Sequence, residues 1–129
     1  MIVLDASAGL ELLLNTPRGA ALQALMLDGE TLHTPHLFDV EVLHVLRRLV
    51  LAKAMSRPRA DEALADLGAL DLTRYPHDVL RERTWALRAS LSAYDATYVA
   101  LAEGLRAPLY TADERLARAH GHRAEIRVL

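Results

Sequence analysis

Four acidic side chains, far apart in the chain, stand where a carboxylate is costly or structurally pivotal. Asp5 ends the run Met1-Ile2-Val3-Leu4, and Glu41 interrupts an apolar helical stretch between Val40 and Val42. Asp95 lies in Ser92-Ala93-Tyr94-Asp95-Ala96-Thr97-Tyr98, and Asp113 follows Leu109-Tyr110-Thr111-Ala112. A carboxylate among apolar neighbours is unfavourable unless its charge is offset. A divalent cation offsets several charges at once, and all-oxygen donors select magnesium or manganese. Such an ion acidifies and orients a bound water and stabilises charge on a transferring phosphoryl oxygen. The chemistry implied is in-line attack of a metal-activated water on a phosphodiester.

That chemistry needs the four acids to meet, so the elements between them matter. Ile2-Val3-Leu4 reads as a strand, and Asp5 or Ser7 can cap a helix carrying Leu10, Leu12, Leu13 and Leu14. Asn15-Thr16-Pro17 stops it, and Pro17 suits the first turn of a second helix running to about Asp28. Thr31 to Thr34 reads as a strand ended by Pro35. His36 to Ala54 is the longest helical segment, with Phe38, Val42, Val45, Leu46 and Leu49 at helical spacing. Ser56 caps a helix closing near Gly68, making a helical hairpin with its predecessor. Leu70 to Tyr75 is a candidate strand, His77 to Ala89 a helix, and Ser92 opens another through Ala102 or Glu103 with Gly104 near its end. Pro108-Leu109-Tyr110 is a short strand, Ala112 to Ala119 a short helix begun by Thr111, and Glu125 to Val128 an edge strand. Strands alternating with helices predict an α/β fold, a mostly parallel sheet covered on both faces, with residues 1–129 as a single domain.

In such sheets ligands bind beyond the carboxyl ends of the strands, where strand order reverses. Asp5 and Asp113 share one crevice if the strands before them are neighbours. Glu41 lies about one turn into the helix after the second strand, and Asp95 lies in the first turn of its helix. Plainer roles stay open for each acid. Asp5 can be only a cap, Ser92-x-x-Asp95 and Thr111-x-x-Glu114 resemble capping boxes, and Glu41 can ride a solvated face. The aliphatic neighbours of Glu41 (Leu37, Val40, Val42 and Val45) speak against the last.

The chain is 52% hydrophobic and 25% charged, with a formal net charge of -2. That composition describes a folded protein whose bulk charge does not advertise nucleic-acid binding. Lys53 is the sole lysine beside an abundance of arginine. The lack of cysteine excludes disulfides, thiolate zinc sites and cysteine nucleophiles. No segment reads as a signal peptide or a membrane span, so a soluble cytoplasmic protein is expected.

The four acidic segments resemble the PIN-domain ribonucleases, especially the VapC-type toxins of bacterial toxin–antitoxin pairs. The matching stretches are Ile2-Val3-Leu4-Asp5-Ala6-Ser7, Asp39-Val40-Glu41-Val42-Leu43 leading to Leu46-Arg47-Arg48, Tyr94-Asp95-Ala96-Thr97-Tyr98-Val99-Ala100-Leu101-Ala102 and Thr111-Ala112-Asp113-Glu114-Arg115-Leu116. The resemblance implies a three-layer α/β/α sandwich and endonucleolytic RNA cleavage dependent on Mg2+, with Mn2+ as the alternative. It implies that Asp5 and Asp95 are the principal metal ligands and that Glu41 and Asp113 complete the site, directly or through waters. Ser7 and Thr111 would be supporting hydroxyls that orient a carboxylate or a metal-bound water. It also implies a homodimer and a small VapB-type antitoxin lying across the site.

Other features compete for attention. Arg47 and Arg48 can hold substrate phosphates, or serve only as surface charges. Trp85, Tyr94 and Tyr98 can stack on bases, with core packing the default for Trp85. His44 shares a helix face with Glu41. His120-Gly121-His122 lacks a third ligand nearby and reads as a polar loop. Leu12, Leu13, Leu22, Leu25 and Met26, with the hairpin helices, offer apolar surface for a partner helix. The competing functions are a catalytically silent PIN-like binding module and an acidic phospho-acceptor signalling domain. The latter needs a lysine after a late strand, whereas Lys53 ends a helix. A dehalogenase-like phosphatase expects Asp-x-Asp, but here Asp5-Ala6-Ser7 lacks the second acid.

Overall fold

Val3 and Leu4 have neighbours on both sides of the sheet and no exposure at all, which is what their apolar character demands. They belong to β1 (Ile2–Leu4), the middle of five parallel strands in the order β3-β2-β1-β4-β5. The others are β2 (Leu32–Pro35), β3 (Leu72–Tyr75), β4 (Leu109–Thr111) and β5 (Ile126–Val128). This computed structural model describes residues 1–129. From β1 the chain moves outward to β2 and β3, then returns to pair β4 with β1, Leu4 opposite Tyr110. Strand order therefore reverses between β1 and β4.

Seven helices cover the two faces: α1 (Ala6–Leu13), α2 (Gly19–Leu27), α3 (Leu37–Leu51), α4 (Arg57–Ala69), α5 (Arg81–Ala86), α6 (Ala93–Leu105) and α7 (Glu114–Ala117). One layer holds α1 to α4, with α1 packed on α2, α3 and α4. The other is dominated by α6, which packs on β1, β2, β4 and α5. The right-handed rule for parallel crossovers explains the division, since the β3 to β4 connection runs opposite to the first two. Asp5 caps α1 through its own carboxylate, and Ser56 and Ser92 cap α4 and α6. Two close approaches fix the α-layer. A Cβ on Gly9 would lie 2.3 Å from Phe38 Cζ, and one on Gly19 would lie 2.2 Å from the Glu11 carbonyl oxygen.

Several local expectations shift. The segment after β3 is a short 3-10 turn, Asp78–Leu80, running into α5, rather than one helix from His77 to Ala89. The left-handed residue closing α6 is Arg106, not Gly104. Thr111 stays in β4, and Asp113 is the residue that caps α7, its carboxylate accepting from the Arg115 amide. Leu12, Leu13 and Leu22 are core residues, and Leu25 and Met26 are half-buried. The exposed aliphatic side chains of α2, α3 and α4 are instead Leu27, Val40, Leu43, Leu51 and Leu64. Trp85 is not core at all: it is 67% exposed. No helix is long and apolar enough to cross a membrane.

Candidate active site

A cleft of about 850 Å³ opens at the carboxyl ends of β1 and β4, where strand order reverses. Asp5, Glu41, Asp95 and Asp113 all line it, together with Ser7, Tyr94, Tyr98, His44, Arg48 and Arg115. Each acid arrives on a different element. Asp5 leaves β1 to cap α1, Glu41 stands in the second turn of α3, Asp95 in the first turn of α6, and Asp113 between β4 and α7.

Asp5 is the deepest of the four, a buried carboxylate held by two donors. Ser7 Oγ donates to Asp5 Oδ1 at 2.6 Å, and the Ala8 amide donates to the same oxygen at 2.8 Å. Ser7 Oγ also lies 3.2 Å from Thr111 Oγ1 and accepts from the Ala112 amide at 2.8 Å. Thr111 Oγ1 accepts from the Asp113 amide at 3.0 Å. These two hydroxyls tie the start of α1 to the end of β4 beside the Asp5 carboxylate.

Glu41 is half-buried and accepts a 2.6 Å hydrogen bond from the Tyr98 hydroxyl. Tyr98 is itself almost fully buried, on the α6 turn after Asp95, so its ring is unavailable for base stacking. Burial and the neighbouring Glu41 charge push its phenol far above the usual range. Asp95 has its amide capped by Ser92 Oγ at 3.2 Å. Asp113 is bound by Arg115 through Nε at 3.1 Å and Nη2 at 2.9 Å.

The charges form one coupled field. Burial pushes the Asp5, Glu41 and Asp95 carboxyls above the ordinary range. Repulsion reinforces it, since Asp5 feels Asp95, Glu41 feels both, and Asp95 feels Asp113. Asp113 alone is held below the usual range, by its bonds to Arg115. A fifth acid, Glu11, also lines the cleft, whose one ion-paired cation, Arg115, serves Asp113, so the cleft carries a surplus of acidic groups. The donor set, hard oxygens only, suits a divalent cation. No three Asp, Glu or His side chains are drawn together tightly enough to hold an ion unaided, so water or substrate oxygens would have to complete its shell.

Residues 2–121 match the PIN domain family. The chain belongs to the PIN-domain family. Ribonuclease VapC12 of Mycobacterium tuberculosis is 46% identical to this PIN domain over 129 residues, 100% of this chain and 99% of that protein. The VapC ribonuclease Mb0985 of Mycobacterium bovis is 50% identical over 117 residues, 91% of this chain and 89% of its own length. Solved structures share the fold: PAE2754 from Pyrobaculum aerophilum superposes with a TM-score of 0.71 at 23% identity, covering 97% of this chain and 81% of that one. VapBC2 from Rickettsia felis, solved with a DNA fragment from their promoter, gives 0.72 at 13% identity over 100% and 99% of the chains. The expected three-layer α/β/α PIN fold is therefore what this chain adopts.

Other expected site residues divide. Arg48 and His44 line the cleft, whereas Arg47 is exposed and lies outside its wall. Lys53, with a left-handed backbone at the far end of α3, is also outside it. His122 Nε2 is tied to the Ala119 carbonyl at 3.1 Å within the loop. Two members of the cleft, Arg115 and the Tyr98 hydroxyl, are not evident from spacing. The available signal was weak: an arginine two residues past Asp113, and a tyrosine one α6 turn past Asp95.

Proposed function

We propose that this PIN domain, residues 1–129, is a divalent-metal-dependent RNA endonuclease and the toxin half of a toxin–antitoxin pair. The observation that carries the reading is the delivery of Asp5, Glu41, Asp95 and Asp113, from four separate elements, into one cleft at the switch point. The ribonuclease names of its relatives supply the substrate class.

In this reading Asp5 and Asp95 hold the cation, and Glu41 and Asp113 complete the site directly or through waters. Magnesium is the proposed ion, manganese the alternative; bound there, it supplies Lewis-acid polarisation of the phosphodiester and a more acidic water. Ser7 and the Ala8 amide hold Asp5 in one rotamer, so its free oxygen is aimed rather than mobile. Tyr98 fixes Glu41 in the same way. Glu41, held by the Tyr98 hydroxyl on the cleft wall, is the carboxylate placed to accept the proton of the attacking water. Arg48 at the cleft wall supports a phosphate.

Partners follow from the same surface. Leu37 and Val40 border the cleft, and Leu43 continues the exposed apolar strip along α3. A VapB-type antitoxin segment with an amphipathic helix would cover that strip and the acids beside it. A homodimer acting on RNA in the cytoplasm completes the proposal.

The test is cleavage of single-stranded and structured RNA by purified protein with magnesium, manganese or EDTA. Cleavage should require metal, and Asp5→Asn or Asp95→Asn should abolish it while circular dichroism stays unchanged. Undiminished cleavage by both variants refutes the site.

A further inference from the structure

A polyanion does not approach a carboxylate-lined cleft unaided, so the cations that receive it must lie beside the acids rather than among them. On the far side of the α6 N-terminus is a second hollow, of about 350 Å³, lined by His77, Arg81, Trp85, Arg88 and Thr97 among others. It adjoins the acidic cleft at two points. The first turns of α6 separate them, with Ala93 and Thr97 facing the hollow and Tyr94, Asp95 and Tyr98 facing the cleft. The Leu37 amide, on the cleft wall, donates to His77 Nε2 at 2.8 Å on the wall of the hollow.

Arg81 and Arg88 take no part in any ion pair, unlike Arg74, Arg83, Arg115, Arg118 and Arg127. The only acid in the hollow, Asp78, is turned back to the Val79 amide at 3.0 Å. The Arg88 guanidinium lies 4.7 Å from the centre of the Trp85 ring and donates from Nη1 to the Trp85 carbonyl at 3.0 Å, while Trp85 itself is largely exposed. Guanidinium groups without carboxylate partners, beside an exposed indole, are the parts of a single-strand binding surface, a stacking platform with cations for the backbone.

We infer that this hollow is a second nucleotide subsite: an unpaired RNA nucleotide next to the scissile one stacks its base on Trp85 and rests its phosphates on Arg81 and Arg88. The inference rests on the nuclease reading and deepens it, since it assigns single-stranded RNA as the bound form.

Trp85 is the sole tryptophan, so its emission reports this site alone. The full-length protein in EDTA is titrated with a short single-stranded oligoribonucleotide, and binding is followed in parallel by anisotropy of a labelled strand. Saturation should quench Trp85 emission. Each of Arg81→Ala and Arg88→Ala should weaken binding and lower the slope of log affinity against log salt by about 0.7. With metal present, Trp85→Ala should raise KM at least about fivefold, and Trp85→Phe should restore most of the loss. Unchanged emission at saturation, or a wild-type KM for Trp85→Ala, overturns the subsite while leaving cleavage intact. Emission that varies with protein concentration without RNA, in a dimer that Trp85→Ala dissociates, also overturns it and assigns the face to subunit contact. Quenching by RNA without cleavage under any metal keeps the subsite and refutes the nuclease reading.

Discussion

At the scale of single residues, the cleft stores unfavourable charge. Asp5, Glu41 and Asp95 bind protons more readily in the folded chain than in the unfolded one. Their ionisation therefore costs stability above the raised pKa values, and the cost is relieved as pH falls through them toward the ordinary carboxylate range. Asp39 and Glu103, held below that range by Arg74 and Arg83, act with the opposite sign. Their contribution is present above the ordinary values and is lost on further acidification. Asp5→Asn keeps an acceptor oxygen for Ser7 and the Ala8 amide while removing the charge. In EDTA near pH 7 it should stabilise the protein by ~1 kcal/mol in urea titrations, an advantage that shrinks as pH falls through the raised Asp5 pKa. An excess of magnesium should reverse the ranking, because only the wild type gains from the ion. Tyr98→Phe should cost ~1–2 kcal/mol in the same titrations, since it leaves Glu41 half-buried without its donor. It should also lower kcat more than it changes KM, because Glu41 loses its fixed position.

At the scale of elements, the sequence was legible where one local rule decided the outcome. Asp5, Ser56 and Ser92 read as caps and are caps, and the apolar runs Ile2-Val3-Leu4 and Pro108-Leu109-Tyr110 read as strands and fall on adjacent strands, β1 and β4. It was misread where tertiary contacts outweighed local preference. Thr111 looked like a helix start, but its hydroxyl is engaged by Ser7 across the sheet, and Asp113 takes over the cap. Gly104 looked like a helix terminator, yet Arg106 carries the left-handed turn and Ala107 is drawn into the core behind it. Trp85 looked like core because large aromatic side chains usually are, but it stands in the open hollow between α5 and the start of α6 and is mostly exposed. The layer of α1 to α4 depends on two residues without side chains. Gly9→Ala should cost ~1–3 kcal/mol as Phe38 is pushed aside, and Gly19→Ala should cost more, since the obstacle there is the backbone at Glu11. Chemical denaturation of both variants checks the order.

At the scale of the whole molecule, function depends on the return of the chain from β3 to β4. That crossover brings Asp95 and Asp113 to the side of Asp5 and Glu41, although Asp95 lies 54 residues beyond Glu41 in sequence. The four acids were legible individually, and their likeness to PIN domains gave their grouping. The burial of Tyr98 against Glu41 and the Arg115 clamp on Asp113 required three dimensions. Induced expression of the intact chain should arrest growth, and co-expression of the antitoxin should relieve the arrest. Harmless expression of protein that cleaves RNA after purification would remove the toxin role while keeping the enzyme.

The most direct measurement is equilibrium binding of manganese, followed by the electron paramagnetic resonance signal of the free ion, for wild type, Asp5→Asn and Asp95→Asn without RNA. The account predicts saturable binding by the wild type near neutral pH, weakening as pH falls through the raised carboxyl values, and at least about tenfold weaker binding by each variant. Equal manganese binding by all three proteins, or none by the wild type, would contradict it.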